Sequence, residues 1–306
     1  MAATRKPIVV VGSINMDLVA RTPKIPLAGQ TLTGTDFATT SGGKGANQAV
    51  AVARLGYPVQ MVGCVGEDVF GQALLDSLAS AGVETTGVAQ VGGPTGIAQI
   101  LVDGKGENSI VVVPGANGKV DCAAIDKHAA LIGSAGMVLC QLELPQETVS
   151  HLLVLCKAAG VPVMLDPAPA APLPEATWSQ VAWLTPNESE ATFCLGHKAS
   201  AEDGAVELLR KGVQGVVLKR GSEGAYVAVA GGDAAWIKPF HVEAIDTVGA
   251  GDCFNGAFAV ALLEGKDPWV AARFASAAAA ISVTRRGAQA SMPSRAEVDA
   301  FLAKQT

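Results

Sequence analysis

The sequence predicts an α/β protein with a mainly parallel central sheet, helices on both of its faces in three layers, and a small β-sheet lid. Three observations carry this reading. Short β-branched runs alternate with stretches of helical period along most of the 306 residues. The first of these runs is apolar at every position, as strands buried on both faces are. Two stretches, about 18–37 and 97–113, interrupt the rhythm with residues that follow no helical period.

The first run, Ile8–Val11, ends at Gly12. Ala46, Ala49, Val50 and Ala53 then fall at i, i+3, i+4 and i+7, a helical stripe closed by Gly56. A strand at 59–62 and a helix at 70–78 repeat the pattern. Later repeats are Met137–Cys140, a helix through Val149, Leu152, Leu153 and Cys156, and a strand at 161–165. The last third holds Gly215–Lys219, a helix after Gly251, and a long helix through Val270, Phe274, Ala277, Ala278 and Ile281. Segment 97–113 reads as a hairpin, with strands at 97–102 and 109–113 around a turn at 103–106. No linker composition divides the chain, so 1–306 is predicted to be a single α/β domain whose lid strands come from about 18–37 and 97–113.

Hydrophobic residues make up 49% of the chain and charged residues only 16%, against about 25% charged on average. This excludes a disordered or fibrous protein. Twenty-two basic and 28 acidic residues leave a net charge of −6, so no nucleic-acid partner is expected. No window approaches the ~20 apolar residues of a membrane span, and the run at 8–11 is too short for a secretory leader. A cytoplasmic protein without a membrane partner is predicted. The six cysteines form no CxxC pair, and the four histidines fit no HExxH pattern. Metal clusters and Ser-His-Asp chemistry are poorly supported. Thirty-five glycines, roughly 11% against about 7% on average, point to backbone brought close to a ligand.

Candidate chemistry gathers at the predicted strand ends, where doubly wound sheets bind ligands. Asp246-Thr247-Val248-Gly249-Ala250-Gly251-Asp252 opens the helix whose stripe is Phe254, Ala257, Phe258, Ala261 and Leu262. Unpartnered first-turn amides and the helix dipole make such a terminus an anion site. Asp252 there either caps the helix or faces the bound anion as a base; the local sequence leaves both open. Ser41-Gly42-Gly43-Lys44-Gly45-Ala46-Asn47 lacks the Ser or Thr of a Walker loop after Lys44. It reads as an exposed glycine turn, with Lys44 and Asn47 suited to hydroxyls or a phosphate. Asn15 and Asp17 follow the first strand, and Glu143 follows Met137–Cys140. Glu190 stands where a capping-box glutamate falls after Asn187, and equally suits water-mediated magnesium binding. The run at 219–224 links two strands, most simply as a hairpin. A dinucleotide oxidoreductase is disfavoured because no GxGxxG follows the first strand.

Taken together, DTVGAGD (246–252) and GGKGAN (42–47) resemble the two signatures of the pfkB carbohydrate kinase family, which includes ribokinase, fructokinase and adenosine kinase. The likeness runs over essentially the whole chain. GSINMD (12–17), QLE (141–143), DPAPA (166–170), TPNE (185–188) and VTRRGAQ (283–289) resemble the members of that family that phosphorylate ribose. The resemblance implies ATP-dependent phosphorylation of D-ribose at O5, with deoxyribose or another small sugar as the alternative substrate. A non-catalytic sugar- or nucleotide-binding regulator is disfavoured by the intact GAGD.

By that resemblance Asp252 is the base, and Gly249, Ala250 and Gly251 with the Asp252 amide form the anion hole. Asn15, Asp17, Gly43, Lys44, Asn47 and Glu143 would grip the sugar, while Asn187, Lys219, Gly221, Ser222, Gly224, Gly251 and Ser276 would lie along ATP. Glu190 would organise Mg²⁺, and Asp246, Val248, Ser282, Arg285, Gly287 and Ser291 would hold K⁺, several through carbonyls. A homodimer through the lid strands is implied as well. Three positions depart from the family pattern. Lys219 stands where a small hydroxyl residue is common, Ser276 where His or Asn is usual, and Asp166 where Asn is frequent.

Overall fold

The computed structural model describes residues 5–305. Its first half runs β1 (Ile8–Val11), β2 (Asn15–Arg21), β3 (Asp36–Gly42), α1 (Lys44–Arg54), β4 (Val59–Gly66), α2 (Val69–Ser80), β5 (Glu84–Val91), β6 (Gly96–Val102) and β7 (Asn108–Val113). There follow α3 (Cys122–Lys127), α4 (Ala129–Ser134), β8 (Met137–Cys140), α5 (Gln146–Ala159), β9 (Val163–Leu165), β10 (Trp183–Leu184), α6 (Glu188–Leu195) and α7 (Ala201–Arg210). The chain closes with β11 (Gly215–Lys219), β12 (Ala225–Val229), β13 (Ala234–Ile237), α8 (Ala250–Leu263), α9 (Pro268–Ser282) and α10 (Arg295–Ala303).

Nine strands form the main sheet in the order β13-β12-β11-β10-β9-β8-β1-β4-β5. Pairing is parallel from β5 through β11 and antiparallel across β11, β12 and β13. Strand alternation sorts the core into two layers. Ile8, Val10, Met137 and Leu139 enter the cluster with α1, α2, α8 and α9. Val9, Val11, Val138 and Cys140 enter the cluster with α5 and α7 on the other face. That is why β1 and β8 are apolar at every position. Among the described residues, no helix is long and apolar enough to cross a membrane.

Residues 12–14 alone separate β1 from β2, so the smaller sheet grows directly out of the central one. Its order is β3-β2-β6-β7, with β2 and β6 parallel and the outer pairs antiparallel. The predicted hairpin is β6 and β7, one residue longer at each start. The predicted lid segment at 18–37 needs correction, because its strands lie mostly at its two ends, 15–21 and 36–42. Asn15 and Asp17 therefore sit on a lid strand, and Ser41 and Gly42 close one. Gly42, Gly43 and Gly45 are buried, so the GGKGAN turn is not the exposed turn expected. β5 escaped prediction because Glu84–Val91 is largely polar and half-exposed.

Candidate active site

Asp252 sits in the first turn of α8 and is 5% exposed. It does not cap the helix. Gly249 occupies that position at φ 75°, a left-handed conformation that glycine adopts at no steric cost. The Asp252 carboxylate is instead held from α1. Asn47 Nδ2 donates to its Oδ2 at 2.9 Å and Gln48 Nε2 to its Oδ1 at 3.2 Å. Helices α1 and α8 approach closely enough for this because of Gly256. A Cβ there would lie 2.7 Å from the Ala51 methyl and 2.9 Å from the Gln48 carbonyl.

Around this carboxylate, Gly249, Gly251 and Asp252 present backbone N–H groups without a protein partner among the described residues. Ala250 does not join them, since its N–H donates to the Thr247 carbonyl at 3.2 Å. Three of the four amides expected to form an anion hole are thus free at a helix's positive end. Burial raises the Asp252 pKa to about 6, with Asp166 adding to the rise. Lys44 and the amides of Asn47 and Gln48 oppose it. Lys44 shows the complementary effect: burial lowers its pKa, but Asp252, Asp166, Glu143 and Glu190 together push it above the usual lysine value.

The sugar-side candidates meet where the lid joins the main sheet. Asn15 and Asp17 share one face of β2. Asn117 holds the first of them, donating to Asn15 Oδ1 at 2.7 Å while accepting from Ile14 N at 2.9 Å. Asp17 packs over Gly42, where any side chain would strike its carboxylate. Burial, and then Glu143 and Asp252, raise the Asp17 pKa to about 7. Glu143 accepts from Ser13 Oγ and from Lys44 N at 3.1 Å, which fixes the entry to α1. The turn at Gly43 and the first turn of α1 are thus tied to Glu143 through Lys44 N and to Asp252 through Asn47.

On the nucleotide side, Asn187 and Glu190 form a full capping box on α6. Asn187 N donates to Glu190 Oε2 at 2.7 Å and Asn187 Nδ2 to Oε1 at 2.8 Å. The capping role is therefore realised, and the buried Glu190 retains lone pairs for water. Gly221, Ser222 and Gly224 lie in the short link between β11 and β12, confirming the hairpin geometry. Ser276 lies half-buried on α9, the helix that ends at Ser282. No group of three or more His, Cys, Asp or Glu side chains poised for a metal occurs among the described residues. This donor set fits a magnesium ion that arrives with phosphates and keeps its waters.

The predicted cation loops do come together. Asp246 Oδ1 accepts from Val248 N at 3.0 Å, and its Oδ2 accepts from Gly287 N at 2.9 Å. Ile245 and Asp246 both donate backbone N–H groups to the Val283 carbonyl. A Cβ on Gly249 would lie 3.0 Å from Ala288 Cα, so this pair of loops packs directly against the start of α8. Ser282 and Ser291 are buried there, each hydroxyl bonded to a carbonyl three residues back. The Arg285 side chain instead pairs with Glu297 at 2.5 Å. One carboxylate with hydroxyl and carbonyl oxygens suits a hard monovalent cation.

Sequence reasoning missed Ser13, Gln48, Asn117 and Gln141, all buried. Gln141 Nε2 donates to Gln48 Oε1 at 2.8 Å and so orients the amide that faces Asp252. Gln48 carried a usable signal, being polar within a run of alanines and valines. The departures Lys219 and Asp166 turn out to be one feature, an ion pair with Nζ 3.1 Å from Oδ1.

A parallel-sheet body, a second small sheet, and an aspartate beside free amides suit the transfer of a phosphoryl group to an alcohol. The family profile for pfkB family carbohydrate kinases matches residues 5–295, and the chain belongs to that family. It is similar to the ribokinase of Bacillus subtilis (strain 168), with 44% identity over 299 residues covering 96% of this chain and 99% of that protein. The Thermotoga maritima ribokinase structure superposes with a TM-score of 0.91 at 40% identity, covering 97% of this chain and 99% of the other. Arabidopsis thaliana ribokinase complexed with ribose and ATP also gives 0.91, at 35% identity over 98% and 99% of the two chains.

Proposed function

We propose that this protein is an ATP-dependent ribokinase that transfers the γ-phosphoryl group of ATP to O5 of D-ribose. The observation that carries this reading is the Asp252 carboxylate, aimed by Asn47 and Gln48 beside three unpartnered amides. Asp252 takes the O5 proton as the O5–Pγ bond forms and the bond from Pγ to the β,γ-bridging oxygen breaks. The products are ribose 5-phosphate and ADP. The amides of Gly249, Gly251 and Asp252 receive the charge of the transferring group without reorganising. Phosphoryl transfer asks chiefly for alignment and neutralised charge, so a carboxylate base suffices.

Asn15 and Asp17 orient the sugar hydroxyls, with Lys44, Asn47 and Glu143 closing the pocket around Gly43. ATP lies along Asn187, Gly221, Ser222, Gly224 and Ser276. Bound Mg²⁺ would neutralise phosphate charge, with Glu190 holding one of its waters. K⁺ would be held by Asp246, Val248, Ser282, Arg285, Gly287 and Ser291, ordering the loop under the anion hole. The chain acts as one catalytic domain, and lid closure excludes water from the transfer.

A homodimer through the lid is part of this reading. β7 is an edge strand whose Ile110, Val111, Val112 and Val113 are 45–61% exposed. An apolar edge of that kind is covered in stable proteins. A coupled ADP-release assay over pentoses, hexoses and nucleosides, with and without K⁺, tests the assignment. Ribose is expected to be preferred, and a clear preference for a hexose or nucleoside overturns it.

A further inference from the structure

Lys219 ends β11 with its side chain only 14% exposed, and its Nζ lies 3.1 Å from Oδ1 of Asp166, itself 3% exposed. The same ammonium hangs over the start of α8: a Cβ built on Gly251 would meet it at 3.4 Å. A cation at the positive end of a helix dipole needs anions beside it. In the free protein Asp166 balances the ammonium and Glu190 also faces it, while the other Asp166 oxygen accepts from Gln48 Nε2 at 3.1 Å. Gln48 in turn donates to Asp252, so one side-chain chain joins Lys219 to the base. Buried ion pairs contribute little net stability, because desolvation offsets their attraction. The pair is therefore poor as a structural device and well placed as a chemical one.

We infer that Lys219 is a catalytic residue of the phosphoryl step, resting on Asp166 in the free protein and engaging the transferring phosphate in the ternary complex. This rests on the kinase reading above. As the O5–Pγ bond forms and the bond from Pγ to its leaving oxygen breaks, negative charge builds on ADP. The ammonium donates hydrogen bonds to phosphate oxygens without giving up a proton, and the O5 proton goes to Asp252. Asp166 is a positioning residue, holding the lysine on the phosphate side while Gln48 fixes its orientation. The four-carbon stem of lysine lets the ammonium move from carboxylate to phosphate, which a short hydroxyl side chain at this position cannot do.

The test compares Lys219→Met, Asp166→Asn and the double variant Asp166→Asn/Lys219→Thr, each assayed for kcat, thermal stability and ribose affinity by calorimetry without nucleotide. Lys219→Met is expected to lose about 100-fold in kcat, the scale seen for removal of one transition-state donor, with ribose affinity within about twofold of wild type. The double variant removes both buried charges and is expected to recover wild-type stability while remaining as slow as Lys219→Met. A purely structural ion pair would give the opposite result, with kcat returning in the double variant. That result, or a Lys219→Met enzyme with undiminished kcat, overturns the inference. Should the wild type prefer another acceptor than ribose, the same ratios are measured with that acceptor, so the two readings fail separately.

Discussion

Asn47 and Asp252, 205 positions apart in sequence, meet at 2.9 Å across the α1–α8 contact. The N-terminal signature thereby holds the proposed base supplied by the C-terminal one. This pairing also tunes the base, because an amide donating to the ionised carboxylate favours ionisation. With the Asp252 pKa raised to about 6, mainly by burial, the ionised carboxylate predominates only above that pH. Activity should therefore fall as pH drops through about 6. Asn47→Ala removes a donor to the charged form and should move that acid limb to higher pH. Asp252→Asn should lose ~100-fold or more in kcat while ribose and ATP still bind. The pH profile of kcat/KM, with calorimetry on the Asp252→Asn protein, checks all three.

Asp17 makes a second pH dependence separable from the first. Its pKa stands at about 7 against an ordinary value of 3.8. The folded protein thus keeps a proton that the unfolded chain releases between those values. Stability from this group is present at low pH and is lost as pH rises through about 7. The free protein should melt at lower temperature at pH 8 than at pH 6, and Asp17→Asn should flatten the slope. Sugar hydroxyls donate to the ionised carboxylate, so ribose affinity should run the other way. It should strengthen with pH up to about 7, by at most roughly tenfold per unit. Melting curves and ribose titrations at five pH values check both signs.

Much of this architecture is readable in the sequence, and the exceptions share a physical origin. β1 and β8 are legible because both faces are buried, which forces an apolar residue at every position. β5 is not, because it lies at the sheet's edge with most of its side chains reaching solvent. β10 has only two residues, too short for any period, and shows in the sequence only as the short run at 181–184. Among the candidate site residues, Asp252, Asn15 and Asp17 could be proposed from sequence because each follows a glycine turn or a strand end. Gln141 and Asn117 are not, since their roles come from contacts with residues about a hundred positions away. The Asp166–Lys219 pair is invisible for the same reason: two separate departures become one interaction only when β9 and β11 are brought to the same end of the sheet.

Gly256 tests whether α1–α8 proximity, rather than the aspartate alone, sets the rate. A Gly256→Ala methyl would stand 2.7 Å from the Ala51 methyl, and both neighbours are carried by helix backbone. Overpacking of this kind costs about 1–3 kcal/mol, which a chain of this core size survives. The separation it forces should pull Asn47 and Gln48 from Asp252 and lower kcat more than it raises the ribose KM. Thermal melts establish folding, and steady-state kinetics read the split. An enzyme with reduced melting temperature but unchanged kcat would show that the helix spacing does not govern the base.

Asp246 links the two loops proposed to hold the cation. Its carboxylate binds Val248 N on one loop and Gly287 N on the other, and Ala288 presses on Gly249. A cation seated among these oxygens would hold the loops at one spacing and so fix the three amides. Replacing K⁺ by tetramethylammonium, too large for such a site, should lower kcat several-fold and leave the melting temperature nearly unchanged. Asp246→Ala should lower kcat in K⁺ and abolish the difference between the two salts, because the clamp that transmits the cation's effect is gone. Ribose affinity should hold in both experiments, since none of the proposed sugar-binding residues belongs to these loops. Equal rates of the wild-type enzyme in the two salts would remove the monovalent cation from the mechanism and leave Asp246 as a purely structural clamp.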